Sequence, residues 1–161
     1  MNTEIARITY LLEQTYSGNP WHGSSISHTL ENVAASQATA RPIPHCHTIA
    51  ELVRHVTAWR TFALEKLRGN AGYDMATPEQ DWPPVGAINA TGWQQILAEL
   101  SASQGQLLET LSLIKDEKLL ETVPGREYNF YFLLHGVIQH DLYHLGQIVL
   151  LRKTLAIVPL G

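Results

Sequence analysis

The chain has 161 residues and a formal charge of −4, the size of one domain able to bury roughly two-thirds of its unfolded surface. Hydrophobic residues at 45% against 16% charged exclude intrinsic disorder, and scattered Lys and Arg leave no basic stripe for a nucleic-acid backbone. The lone Cys46 excludes an internal disulfide, and no apolar run approaches the roughly 20 residues of a membrane span.

The opening MNTEIARITYLLEQ has neither the basic start nor the continuous apolar core of a signal peptide, so the expected compartment is the cytoplasm. Over residues 4–16, Ile5, Ile8, Leu11, Leu12 and Tyr16 recur at spacings of three and four, which predicts a helix that SGNP then stops. Residues 21–45 read as a long, partly structured crossover, with a short helix in SSISHTLENVA capped by a serine and a breaker at ARPIP.

Thr48 and Glu51 form a capping box ahead of a helix over about 49–68, whose inner face carries Leu52, His55, Val56, Trp59 and Phe62 or Ala63. The stretch MATPEQDWPPVGAI, with three prolines and no period, reads as a loop. Thr91 and Gln94 suggest a second capping box before a third helix bearing Trp93, Ile96, Leu97, Leu100, Leu107, Leu108 and Leu111. KDEKLLETVPGRE is a connection with room for one helical turn, and a final helix is expected over about Tyr128 to Leu155. Four helices without strand alternation or an internal repeat predict one all-α domain over 1–161, a four-helix bundle with long crossover connections. Those connections exceed the length that joins neighbouring antiparallel helices, so a simple up-and-down hairpin order does not follow.

Eight histidines are many for this length. His140 and His144, four apart in HDLYH, share one helix face at a Cβ spacing of about 5 to 6 Å, close enough to hold one metal ion. Neutral imidazole offers a lone pair to a divalent ion and keeps its second nitrogen for an orienting hydrogen bond. His55, on the apolar side of the second long helix, is the natural third ligand if that helix faces the last one. Three imidazoles leave a coordination position for water or substrate, as catalytic rather than structural sites do. Without further information, hydrogen-bonded core histidines would explain the same residues.

The segment LLHGVIQHDLYHLGQIVLLRK resembles the C-terminal hallmark of the DinB/YfiT-like superfamily of metal-binding four-helix bundles, and ELVRHVTAW resembles the motif around its first ligand histidine. WHGSS, HTIAEL and VPGREYNFYFLLHG also match a subgroup, so the likeness covers most of the chain. Ser24 departs from it, standing where that subgroup often carries proline, a change confined to a local turn. The resemblance implies His55, His140 and His144 as ligands. A nitrogen-rich donor set suits zinc or nickel, ahead of iron or manganese, and the resemblance implies relatives that are S-transferases or isomerases using low-molecular-weight thiols. Relatives are also often dimers, a state that loop Trp and Tyr residues would serve.

The other polar candidates are weaker. His22 would reach the site mouth as an acid or base or else hydrogen-bond within the crossover, and Tyr143 and Gln147 are polar groups that would contact a substrate. Glu51, one turn before His55, and Asp141, beside His140, are the candidate carboxylates behind the ligands. His135 lies about 140° around the helix from His140 and reads as packing or surface. His45, Cys46 and His47 precede a helix cap and point to alternating sides, which argues against a second metal site, and His28 reads as surface. Gly136 and Gly146 within a helix suggest close approach of a neighbour. The expected function is a metal-dependent enzyme on small molecules, of thiol-dependent S-transferase or hydrolase type. The alternative is a non-catalytic, metal-stabilised small-ligand-binding or stress-response module.

Overall fold

Seven α-helices follow in chain order in the computed structural model, which describes residues 3–156. They are α1 (Thr3–Tyr16), α2 (Ile26–Leu30), α3 (Ala35–Ala38), α4 (Ile49–Leu67), α5 (Pro78–Asp81), α6 (Ala90–Ser112) and α7 (Phe130–Thr154), with a 3-10 helix at Asp116–Leu120. Residues 1–2 and 157–161 of the expected domain lie outside the described residues. The fold is all-α: among the described residues the β-type pairing is one isolated bridge between Thr122 and Asn129.

The helix starts explain the boundaries. The Thr48 hydroxyl accepts from the Glu51 amide at 3.2 Å and the Glu51 carboxylate accepts from the Thr48 amide at 2.7 Å, the reciprocal box expected for α4. The second expected box does not form. Asn89 caps α6 instead, accepting from the Gly92 amide at 2.9 Å, so Thr91 already lies inside the first turn. Asparagine caps at least as well as threonine, and it comes first in the chain. Ser25 stands at the cap position of α2, but its hydroxyl makes no capping bond. The start of α1 is capped from a distance: Asp116 accepts from the amides of Thr3, Glu4 and Ile5 at 2.8, 3.2 and 3.0 Å. These bonds, that of Ile5 foremost, hold the Asp116 carboxyl below its usual range.

α4 packs along both α6 and α7, and α1 packs along the same two helices, whereas α1 and α4 are not packed side by side and neither are α6 and α7. Around the bundle the order is therefore α1, α6, α4, α7, and the chain crosses a diagonal twice. That is why the connections from α1 to α4 and from α6 to α7 are long. The 32-residue segment 17–48 holds α2 and α3 on the way.

Two apolar clusters fill the interior. One gathers Leu52, Val56, Trp93, Leu100, Leu145 and Ile148, and the other gathers Ile8, Leu12, Phe62, Leu107, Phe130 and Leu134. The first half of α4 thus lies with the first half of α6 and the second half of α7, so α7 runs antiparallel to α4. Leu11, expected inside, is 41% exposed because the wide arc of its helix turns it past the edge of the core.

Between the two clusters runs a buried polar layer. Arg60 and Asp141, both fully buried side chains, form a two-pronged pair with Nη2 to Oδ2 at 2.6 Å and Nε to Oδ1 at 3.3 Å. Arg60 Nη1 also donates to Gln104 Oε1, and Gln104 Nε2 donates to the Leu12 carbonyl at 3.3 Å. The Arg60 guanidinium lies 5.2 Å from the centre of the Tyr16 ring. All four long helices therefore meet in one network. Burial pushes the Asp141 carboxyl up while the Arg60 charge pulls it back.

Candidate metal centre

The antiparallel contact of α4 and α7 brings His55 opposite His140 and His144. His140 Nε2 lies 2.9 Å from His55 Nε2 and 3.1 Å from His144 Nε2, and all three ligand atoms fall within 4.8 Å of one another. Nitrogens bound at about 2.0–2.1 Å to one tetrahedral zinc stand roughly 3.3 Å apart, so the three rings converge on a point one ion can serve.

Hydrogen bonding at the outer ring nitrogens fixes where the lone pairs point. His55 Nδ1 lies 2.6 Å from the Asp81 carbonyl, which only accepts, so Nδ1 carries the proton and Nε2 presents a lone pair. His144 Nδ1 donates to Gln147 Oε1 at 3.3 Å, which leaves its Nε2 in the same state. His140 Nδ1 is buried with no hydrogen-bond partner, and its Nε2 faces both lone pairs. One proton on that nitrogen answers one neighbour; a cation answers all three. The donor set fits a divalent transition-metal ion.

The electrostatics keep the imidazoles neutral. Burial first, then His144, His55 and Arg60, pushes His140 down to about 3. Burial and then His55 take His144 to about 4. Burial likewise lowers His55, against the pull of Asp81. At neutral pH the lone pairs are therefore free for a metal.

The residues behind the ligands differ from expectation. Glu51 is committed to Thr48 and to Arg41, whose guanidinium it binds at 2.7 and 2.9 Å, and Asp141 is committed to Arg60. Neither carboxylate bonds a ligand histidine, because helix periodicity turns Asp141 about 100° from His140 and Glu51 caps its own helix. That position belongs to Asp81. Its carbonyl holds His55, its Oδ1 lies 3.3 Å from the same nitrogen, and Oδ1 accepts from Trp59 Nε1 at 2.8 Å.

Trp82, the next residue, stacks on His55 at 3.8 Å between ring centres and 7° between planes. His47 stacks on the other face of the indole at 3.5 Å and 5°, so one indole is held between two imidazoles and fixes the plane of His55. The stretch read as plain loop thus carries the support for His55. T-P-E-Q held the signal: Thr77 and Gln80 form a capping box with proline at the start of α5, which delivers Asp81 and Trp82.

The remaining candidates separate cleanly. Gln147 orients His144 rather than facing an open site, and Tyr143, 67% exposed, lays its ring edge-on to His144 with centres 4.9 Å apart. His22, His28, His45 and Cys46 are exposed, while His135 packs against Tyr131 at 4.4 Å. Among the described residues, His55, His140 and His144 are the group able to share a metal, and the His45-Cys46-His47 triplet forms no such group. Gly136 and Gly146 are not sites of close approach, since a Cβ at either would meet nothing within 4 Å.

A cavity of about 400 Å³ opens beside His55 and His140. Trp59 and Asp81 form one wall, and Phe132, Gly136 and Val137 of α7 form the other.

A helical bundle whose diagonal crossovers bring three neutral histidines together beside an open cavity defines a class of metal-site bundle proteins. The chain belongs to the DinB superfamily, whose family model matches residues 21–148 and so includes all three histidines. Searches of curated proteins and of solved structures found no match. No helix among the described residues is long and apolar enough to cross a membrane.

Proposed function

We propose that the protein is a metal-dependent enzyme acting on a small molecule, with His55, His140 and His144 holding one divalent ion, zinc or nickel foremost. The carrying observation is the convergence of three Nε2 atoms beside an open cavity, with no fourth His, Cys, Asp or Glu in the group among the described residues. Closed structural sites take four protein ligands, so a three-ligand set with access favours catalysis over a purely stabilising ion.

Bound there, the ion supplies Lewis acidity that lowers the pKa of a coordinated water or thiol, which suits thiol transfer or hydrolysis. The protein's own part is to hold and shield. Asp81 and Gln147 fix the rings of His55 and His144, Trp82 covers His55, and Trp59 with Val137 keeps the cavity side apolar. Asp81 is the one carboxylate among the cavity-lining residues.

The test has two stages. Metal analysis of protein purified without a histidine tag is expected to give close to one equivalent, falling towards zero in His55→Ala. A screen of the metal-loaded protein with several thiols and electrophilic acceptors is expected to give turnover that His55→Ala abolishes. Stoichiometric metal with no His55-dependent turnover for any pair would favour the non-catalytic binding module. Absence of metal, with stability unchanged by chelator, would refute the site.

A further inference from the structure

The cavity beside the histidines has a chemical character of its own. On α7, Phe132, Leu133, Gly136, Val137 and His140 fall at helical spacing along one face, so an apolar stripe leads to a ligand histidine. Trp59 and Tyr128 add two further aromatic rings. Asp81 is its one acidic side chain, and neither Lys nor Arg lines it. Away from an ion held by His55 and His140, the walls therefore offer an anion only Asp81 and apolar surface.

Size narrows the ligand further. A cavity of about 150 Å³ holds benzene, so about 400 Å³ accommodates one substituted ring whose functional group reaches His55 and His140. Gly136 sits in the wall, and a Cβ there meets nothing within 4 Å, so its missing side chain keeps the space open.

We infer that this cavity binds an uncharged aromatic compound, ring against Trp59, Tyr128 and Phe132, and that Gly136 is the residue that admits it. Taking this compound as the substrate rests on the metal-enzyme reading above. On that reading the cavity receives the acceptor molecule, while the charged body of a low-molecular-weight thiol stays outside. Offset and edge-on ring packing gives aromatic ligands an advantage over alkyl ones of equal size.

The test follows binding of 4-fluorobenzyl alcohol and of 4-fluorobenzenesulfonate by fluorine NMR, on the purified full chain supplied with zinc and again with chelator. In chelator, where no ion pairs the sulfonate, the alcohol is expected to bind at least tenfold more tightly than the sulfonate. Gly136→Ala should weaken it and Gly136→Leu should weaken it at least tenfold, with zinc content and helicity retained, because replacing a helical glycine favours the helix. If Gly136→Leu does not fold, Gly136→Ala carries the test, with a loss of about threefold expected. Equal affinity for the two compounds in chelator, or alcohol binding unmoved by the substitution that folds, would overturn the inference. Zinc uptake without alcohol binding would overturn the inference and leave the metal reading standing. Alcohol binding without zinc uptake would do the reverse.

Discussion

Replacing Asp141 by asparagine leaves the shape of the polar layer almost intact and removes its negative charge. Arg60 and Asp141 have no side-chain exposure, and the guanidinium would keep Gln104 Oε1 as its acceptor while facing an amide where a carboxylate stood. Breaking one side of a buried pair costs about 3–5 kcal/mol, because the surviving charge is left uncompensated. A domain of this size has roughly 5–15 kcal/mol of stability in all, so Asp141→Asn should fold but melt early. At about 2–4 °C per kcal/mol for this chain length, the midpoint should fall by roughly 6–20 °C. Urea titration with circular dichroism measures the loss directly. The metal content of the folded variant should be unchanged, since Asp141 bonds no ligand histidine. The triple variant Arg60→Met, Gln104→Leu, Asp141→Leu should recover most of the loss, because an apolar layer of similar volume avoids the desolvation cost. A loss below about 1 kcal/mol for Asp141→Asn would refute the account of the layer, and so would a triple variant less stable than the single one.

Zinc at a hundred times its dissociation constant should stabilise the fold by about 2.7 kcal/mol, a rise of roughly 5–11 °C in thermal scans, and His140→Ala should abolish the rise. Gln147→Leu removes the partner of His144 Nδ1 and should weaken zinc binding about tenfold in competition with a chelating dye, with helicity unchanged. The metal-free protein should lose stability as pH falls from 7 to 5. His140 and His144 sit at about 3 and about 4 when folded, His55 is lowered too, and all three titrate near 6.5 when unfolded. The unfolded chain thus binds more protons in that interval, so stability is complete above about 6.5 and drains as pH approaches the folded values. His47 and Arg60 push in the same direction and Asp81 against it. The lowered carboxyls of Glu51, Glu65, Asp74 and Asp116 add their losses only below about 4.5, and the raised Asp141 carboxyl works against the histidines as pH falls. A flat midpoint across pH 5–7 would contradict the buried, neutral assignment.

Much of the site was legible before folding because helix geometry is local. The spacing of His140 and His144 and the capping box at Thr48 each need only a few residues of one helix, and both hold. The same locality misled at Asp141 and Glu51, which are near the ligands in sequence and turned to other work in space. At the start of α6 it misled as well, since Asn89 rather than Thr91 caps the helix, two residues earlier. Gly136 was read as a packing contact, whereas the space beside it is empty.

The sequence by itself determined that the chain is all-α, which helix faces are apolar, and that two histidines share one turn of the last helix. These follow from periodicity and capping, whose range is one or two turns. Only the tertiary structure decided that α4 lies against α7, which brings His55 Nε2 to 2.9 Å from His140 Nε2. It also decided that Asp81 and Trp82, 26 and 27 residues beyond His55, fix the His55 ring. Those contacts join segments with no shared period, and what brings them together is the burial of two apolar clusters around the Arg60 layer, a condition on the whole chain.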